Sequence, residues 1–255
     1  MSGRTLICAD IGNSRTKVAV AGRSAGQWNK IQSVASPELL DLEQVPVADW
    51  MLISVNQTRL GQLRHWIADQ RGDDQIRLLS YRDFPIELRV DFPEKLGIDR
   101  IAAAVGGREV TGNAKQPLFI VNVGTAVTID YVDAQGVFQG GVIYPGPFTS
   151  FQSLARATDQ LPELAAADFP AEVIGKNTTV AITAGVWQMQ LGAMREVLKR
   201  YREQLLAGRS AVEPQVLITG GGSGPLVKMY DQPLRSVPDL VLRGIHAAAE
   251  QLGRR

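Results

Sequence analysis

One plan occurs twice in this chain, and it limits the possible folds more than any other feature. Leu6-Ile7-Cys8-Ala9-Asp10-Ile11 is an apolar run ending at an acid. It turns through Gly12, Asn13 and Ser14, and resumes behind Lys17 as Val18-Ala19-Val20. Leu118 to Val132 repeats the plan, with Asn122 where the first copy has Asp10 and Gly124 where it has Gly12. Each copy predicts two buried strands joined by a polar turn. A repeat of this size predicts two related halves. Backbone N–H groups in a Gly/Asn/Ser turn can face phosphate oxygens, Lys17 adds a point charge, and Asp10 can hold a hydrated divalent cation. An ordinary hairpin with solvated turn residues fits either copy alone. Their recurrence favours two turns that grip a polyphosphate from both sides.

With 255 residues the chain can form one large domain or two of about 110 to 140 residues, each with its own core. The repeat favours two, 1–112 and 113–255. A net charge of +1 with no basic stripe argues against a nucleic-acid partner. The single cysteine, Cys8, lies in the first apolar strand, where packing explains it, and no intrachain disulfide can form. No apolar stretch of signal-peptide length precedes Asp10, and no run approaches the roughly 20 apolar residues of a membrane span, so the chain reads as cytoplasmic with no membrane partner.

The turn Gly22 to Gly26 leads to a third strand near Trp28–Val34, and a short helix follows Pro37. Trp50 to Val55 reads as a buried strand, Leu60, Leu63, Trp66 and Ile67 as a helical face ending near Gly72, and Ile76 to Leu79 as a short strand. His65 and His246 have no histidine or cysteine at ligand spacing and read as ordinary side chains. Pro93 and Gly97 predict a loop, and Ile98, Ile101, Ala102 and Val105 a helical face, which puts Asp99 in a first turn. There it is either a partner of the helix dipole or a general base, with Arg100 beside it to bind an acidic substrate.

Gly106 to Pro117 reads as the junction between halves. Val137 to Ile143 is a strand through Gly140-Gly141, and a helix spans Phe148 to Ala157. Gly175-Lys176-Asn177-Thr178 opens the longest helix. Its apolar residues Val180, Ala184, Trp187, Leu191, Met194, Leu198 and Tyr201 form a seam that needs a partner, and periodicity favours the chain's own sheet over a second subunit. Gln215 to Thr219 is a buried strand feeding Gly220-Gly221-Gly222-Ser223-Gly224, where a flat ring and ribose could lie against backbone. Pro225 breaks the dinucleotide fingerprint, and no Walker A lysine follows. Leu234 to Val237 and a helix from Leu240 to Leu252 close the chain.

Asp10-x-Gly12-Asn13-Ser14-x-x-Lys17, Gly97-x-Asp99-Arg100, Gly124-Thr125-Ala126-x-Thr128-x-Asp130, Gly140-Gly141-x-Ile143-x-Pro145-Gly146, Thr158-x-x-Leu161-Pro162, Gly175-x-Asn177-Thr178 and Thr219-Gly220-Gly221 follow one another in the order seen in type III pantothenate kinases. The chain resembles that family from end to end. The resemblance implies an α/β fold of two duplicated ribonuclease-H-like domains of the actin-like ATPase type, with mixed sheets and a cleft that clasps ATP. It implies phosphorylation of pantothenate to 4′-phosphopantothenate, the first step of coenzyme A biosynthesis. Asp10 would organise Mg²⁺, the turns at Gly12, Asn13, Ser14 and Lys17 and at Gly124-Thr125 would cradle the triphosphate, and Gly220 and Gly221 would border the adenosine. Asp99 would be the general base, Arg100 the clamp for the pantothenate carboxylate beside Gly97, and Thr178 a substrate contact from the second subunit of a homodimer. The long helical seam would then lie at the dimer interface.

The chain departs from the family pattern at two positions. Asn122 stands where the family usually has an aspartate associated with K⁺ or NH₄⁺; it keeps a carbonyl oxygen and loses a charge. Val90 stands where the family commonly has a tyrosine lining the pantothenate pocket. These two changes are the basis for an alternative, a nucleotide-binding relative with regulatory function or an altered substrate. A sugar kinase of the same superfamily would share the phosphate turns, but not Gly97-x-Asp99-Arg100 together with Gly175-x-Asn177-Thr178.

Overall fold

In the computed structural model, which describes residues 4–22, 26–113, 115–164, 173–206 and 212–253, the repeat appears as two five-stranded sheets of the same order. In the first sheet β1 (Thr5–Ile11), β2 (Thr16–Ala21) and β3 (Trp28–Val34) run antiparallel in sequence, while β4 (Ala48–Ser54) and β5 (Gln75–Leu78) add in parallel on the other side of β1. The order is therefore β3-β2-β1-β4-β5. The second sheet repeats it as β8-β7-β6-β9-β10, from β6 (Leu118–Val123), β7 (Ala126–Val132), β8 (Phe138–Pro145), β9 (Gln215–Thr219) and β10 (Arg235–Ser236). β6 pairs antiparallel with β7 and parallel with β9.

Period-two alternation sorts the first sheet's side chains. Ile7, Ala9 and Ile11 of β1 enter a core with Trp50 and Leu52 of β4 and Leu60, Leu63 and Ile67 of α1 (Gln57–Gln70). Cys8 and Asp10 point to the opposite face. Burial pushes the Cys8 thiol pKa far up, so it behaves as a small apolar group. The helix expected after Pro37 is a single 3-10 turn, Pro37–Leu39. Of the turn expected at Gly22 to Gly26, Arg23, Ser24 and Ala25 lie outside the described residues.

The chain divides into two compact units. One comprises 1–114, 136–138 and 239–255, the other 115–135 and 139–238. Compared with the break expected after residue 112, the difference is that the C-terminal helix α6 (Leu240–Gly253) returns to the first unit. It does so by close approach to α2 (Ile98–Thr111). A Cβ on Gly106 would stand 2.0 Å from the Leu240 carbonyl oxygen, and one on Gly244 would stand 1.8 Å from the Ala102 carbonyl oxygen. Gly106 and Gly107 therefore lie buried inside α2, not in an inter-domain junction, because backbone contact outweighs their poor helix propensity. Trp28 Nε1 donates to Asp239 Oδ2 at 2.7 Å, fixing the start of α6 to the sheet edge.

In the second unit α3 (Pro147–Ala157), α4 (Thr178–Leu206) and α5 (Ser223–Met229) accompany the sheet. Trp187, Leu191, Met194 and Leu198 of α4 share a core with Phe119, Val121, Val127 and Ile129. The seam is thus covered by the unit's own sheet. The resemblance had placed it at a dimer interface, but its apolar area is already used within one subunit.

Candidate active site

In the first unit Asp10 lies opposite Lys17 in the β1–β2 register, so both side chains leave the same face of the ladder. The loop between them closes with Gly12 N–H donating to the Arg15 carbonyl at 3.1 Å. Asn13, Ser14 and Arg15 are exposed at its tip. The loop is braced on two sides. Arg15 Nε donates to Ser33 Oγ at 3.0 Å, and Asn56 Nδ2 donates to Asn13 Oδ1 at 3.3 Å. Asn56 also caps α1, accepting from Arg59 N–H at 3.0 Å.

Asp99 occupies the first turn of α2, as expected, two residues after the N-cap Gly97. Its carboxylate accepts from backbone N–H groups at the helix start, yet burial dominates and raises its pKa. Gly97 leaves room for it, since a Cβ there would stand 2.7 Å from Asp99 Oδ1. Asp99 also acts on Asp10, whose pKa burial and the nearby Asp99 charge push up to about 7 against the pull of Lys17. The structure therefore brings Asp10, Lys17 and Asp99 together, with Arg100 acting on Asp99. Both acids keep some accessible surface while most of their surroundings are protein.

Arg100 places its guanidinium carbon 5.7 Å from the centre of the buried Phe138 ring. Phe138 is itself held by backbone bonds, its N–H donating to Glu87 O and its carbonyl accepting from Arg89 N–H, each 2.9 Å. Val90 follows this segment and is half-buried. Sequence reading missed Phe138, since it meets Arg100 only through long-range pairing. It also missed Asn56, although an asparagine just before an amphipathic run is a cap signal that could have found it.

In the second unit the Gly124-Thr125 tip closes with Gly124 N–H donating to Ala126 O at 3.0 Å. Asn122 pairs with Thr128 on β7 and lies beside Thr219 on β9. Gly220 has φ +97° and passes so near β6 that a Cβ would stand 2.3 Å from Val123 O, while Gly221 has open space around it. Gly222 N–H donates to Val123 O at 3.0 Å, tying the glycine turn to the strand that carries Asn122. Thr178 is exposed at the start of α4, where Asn177 Oδ1 accepts from Val180 N–H at 3.0 Å. It belongs to the second unit, Asp10 and Asp99 to the first.

The raised Asp10 pKa carries a stability consequence. A carboxylate whose folded pKa lies above its ordinary value favours the folded state in acid, and that advantage is lost as pH rises from about 4 through about 7. In chelator-treated protein, unfolding should show a decline across that window of at most about 4 kcal/mol from this group. Asp10→Asn should flatten that part of the profile, which denaturant titrations at pH 5 and pH 8 would measure. Equal pH slopes in the two proteins would contradict the assignment.

A model of the type III pantothenate kinase family matches residues 6–200 of the chain. The chain belongs to that family. Among curated relatives, the type III pantothenate kinase of Herminiimonas arsenicoxydans is 30% identical over 260 residues, spanning 96% of this chain and 97% of the relative. That of Rubrobacter xylanophilus is 31% identical over 255 residues, spanning 94% and 95%. Among solved structures, a Campylobacter jejuni protein described as a Baf family transcriptional activator gives a TM-score of 0.63 at 18% identity, covering 98% of this chain and all of that one. MreB5 of Spiroplasma citri bound to ADP gives 0.51 at 10% identity, covering 99% and 98%. Likeness at these identities is one of fold. With the repeated sheet order it identifies a fold of two ribonuclease-H-like domains in this family member.

Proposed function

We propose that the protein transfers the γ-phosphoryl group of ATP to the primary hydroxyl of pantothenate, giving 4′-phosphopantothenate and ADP and so opening coenzyme A biosynthesis. The observation that carries this reading is the convergence of Asp99, Asp10 and Lys17 in the first unit of a chain that belongs to this family. Asp99 is the general base. Burial raises its proton affinity, which suits a group that must take a proton from an alcohol. As the hydroxyl proton passes to Asp99, the alcohol oxygen bonds to the γ-phosphorus and the bond to the β,γ-bridging oxygen breaks in line. Arg100, aimed by the Phe138 ring, binds the pantothenate carboxylate beside Gly97. Val90 leaves that pocket without the aromatic wall the family commonly has. Lys17 and the backbone at Gly12, Asn13 and Ser14 serve the phosphates, as do Gly124 and Thr125 of the second unit. Gly220 and Gly221 border the adenosine.

Asp10 would hold Mg²⁺. The donors fit a hard cation: two carboxylates act on one another, and no group of three or more His, Cys, Asp or Glu that could hold a metal alone occurs among the described residues. Mg²⁺ usually takes one or two carboxylates plus water and substrate phosphates. When bound it neutralises charge on the transferring phosphoryl group.

Asn122 makes a weak contact to K⁺ or NH₄⁺ in this reading. The buried Thr128 hydroxyl on the same rung finds no hydrogen-bond partner among the described residues, and Thr219 flanks Asn122 on the other side, so the nearby donors are neutral oxygens. Asn122→Asp should strengthen K⁺ activation by about one order of magnitude in the half-saturating concentration. Titrating K⁺ into a K⁺-free assay measures it, and an unchanged midpoint would remove Asn122 from the cation site.

A homodimer would use the other face of α4. Ala181, Gly185, Met189 and Gly192 are exposed there, with Met189 50% exposed and open space around both glycines, and Thr178 begins the same helix. Sedimentation equilibrium reads this state. The same reading places the enzyme in the cytoplasm with ATP. No helix among the described residues is long and apolar enough to cross a membrane. ADP release that requires both ATP and pantothenate tests the activity; release unaffected by pantothenate would refute it.

A further inference from the structure

We propose that Thr149 is a positioning residue for the ATP site, holding the Gly124-Thr125 turn in its phosphate-binding geometry. Thr149 Oγ1 donates to the Thr125 carbonyl at 2.6 Å, and Gly146 N–H donates to the same oxygen at 2.9 Å. Two donors from the start of α3 thus engage one carbonyl at an exposed hairpin tip. A trans peptide is planar, with its C=O and N–H on opposite sides. Fixing the Thr125 carbonyl toward α3 therefore turns the Ala126 N–H away from α3 and fixes the plane of the peptide that follows Thr125.

The anchor is itself rigid. Ser150 Oγ and Ser150 N–H both donate to Gly146 O at 2.9 Å, and the buried Gln190 of α4 donates through Nε2 to Pro145 O at 3.0 Å. Gly146 must be glycine for this approach, because a Cβ there would stand 2.1 Å from Gly124 O. A two-residue tip would otherwise sample several peptide orientations. Donors that are already oriented spare the cost of ordering when phosphate binds.

The inference rests on the assignment of the Gly124-Thr125 turn to ATP phosphate. Thr149→Val removes the donor at nearly constant shape, and Thr149→Ser keeps it. The side chain is partly exposed, so neither change should disturb folding. Thr149→Val should raise KM for ATP about three- to tenfold and weaken calorimetric binding of the Mg²⁺ complex of a non-hydrolysable ATP analogue by a similar factor. KM for pantothenate and the melting temperature should stay at wild-type values, and Thr149→Ser should restore ATP binding. Wild-type ATP binding in Thr149→Val, or parallel loss for both substrates, would overturn the proposal. Gly124→Ala separates the two levels, since its Cβ meets only ordinary contact at 3.6 Å from Ala126 O. If Gly124→Ala weakens nucleotide binding and Thr149→Val does not, the positioning role fails alone. If neither does, or the wild-type protein binds no nucleotide, the turn assignment fails and the proposal with it.

Discussion

Asp99→Asn should reduce turnover by about a hundred- to ten-thousandfold while nucleotide binding and the folded state persist. Asparagine keeps the shape of the side chain and one acceptor for the helix-start N–H groups. It cannot take the proton of the attacking hydroxyl. The loss should fall on kcat, with KM for ATP near wild type, because the base acts in the transition state. A second effect identifies its origin. The Asp99 charge helps raise Asp10, so the variant should also lower the Asp10 pKa, readable from its carboxyl carbon by NMR. A variant turning over at more than a tenth of the wild-type rate would remove Asp99 from the base role.

Gly244→Val should cost about 3 kcal/mol of stability, a fall in melting temperature of roughly 6 to 12 °C, by forcing α6 away from α2. The Cβ would arrive 1.8 Å from the Ala102 carbonyl oxygen, a backbone atom with no rotamer to change. Since α2 carries Asp99 and Arg100 in its first turn, residual activity should fall beyond what the unfolded fraction explains. Gly61→Ala provides the contrast. That glycine lies on the exposed face of α1 with nothing near its Cβ position, and the change should stabilise the protein by about 0.5 to 1 kcal/mol. Thermal unfolding of both variants decides the matter, and equal melting temperatures would show that the α2–α6 crossing is looser than described.

The two hairpins and the first-turn position of Asp99 could be read from the sequence because their determinants are local. Short apolar runs identify β1, β2, β6 and β7, and glycine with asparagine or threonine identifies the turns. Gly106-Gly107 misled for the same reason. Locally, paired glycines interrupt a helix; in the fold Gly106 lets α6 cross α2 at backbone contact, which needs knowledge of a helix far along the chain. The α4 seam shows the complementary limit. Its spacing identifies the buried face but not what covers it, and the covering residues are Phe119, Val121 and Ile129. Phe138 beneath Arg100 and Thr149 on the Thr125 carbonyl were likewise invisible, being single long-range contacts with no periodic signature.

The most direct test of the central claim is the product itself. Purified protein with Mg²⁺, ATP, pantothenate and K⁺ should yield a phosphate monoester on the primary hydroxyl of pantothenate, seen by phosphorus NMR and by mass, and Asp99→Asn should yield almost none. Bound ATP without that ester, or an equal yield from Asp99→Asn, would contradict the account.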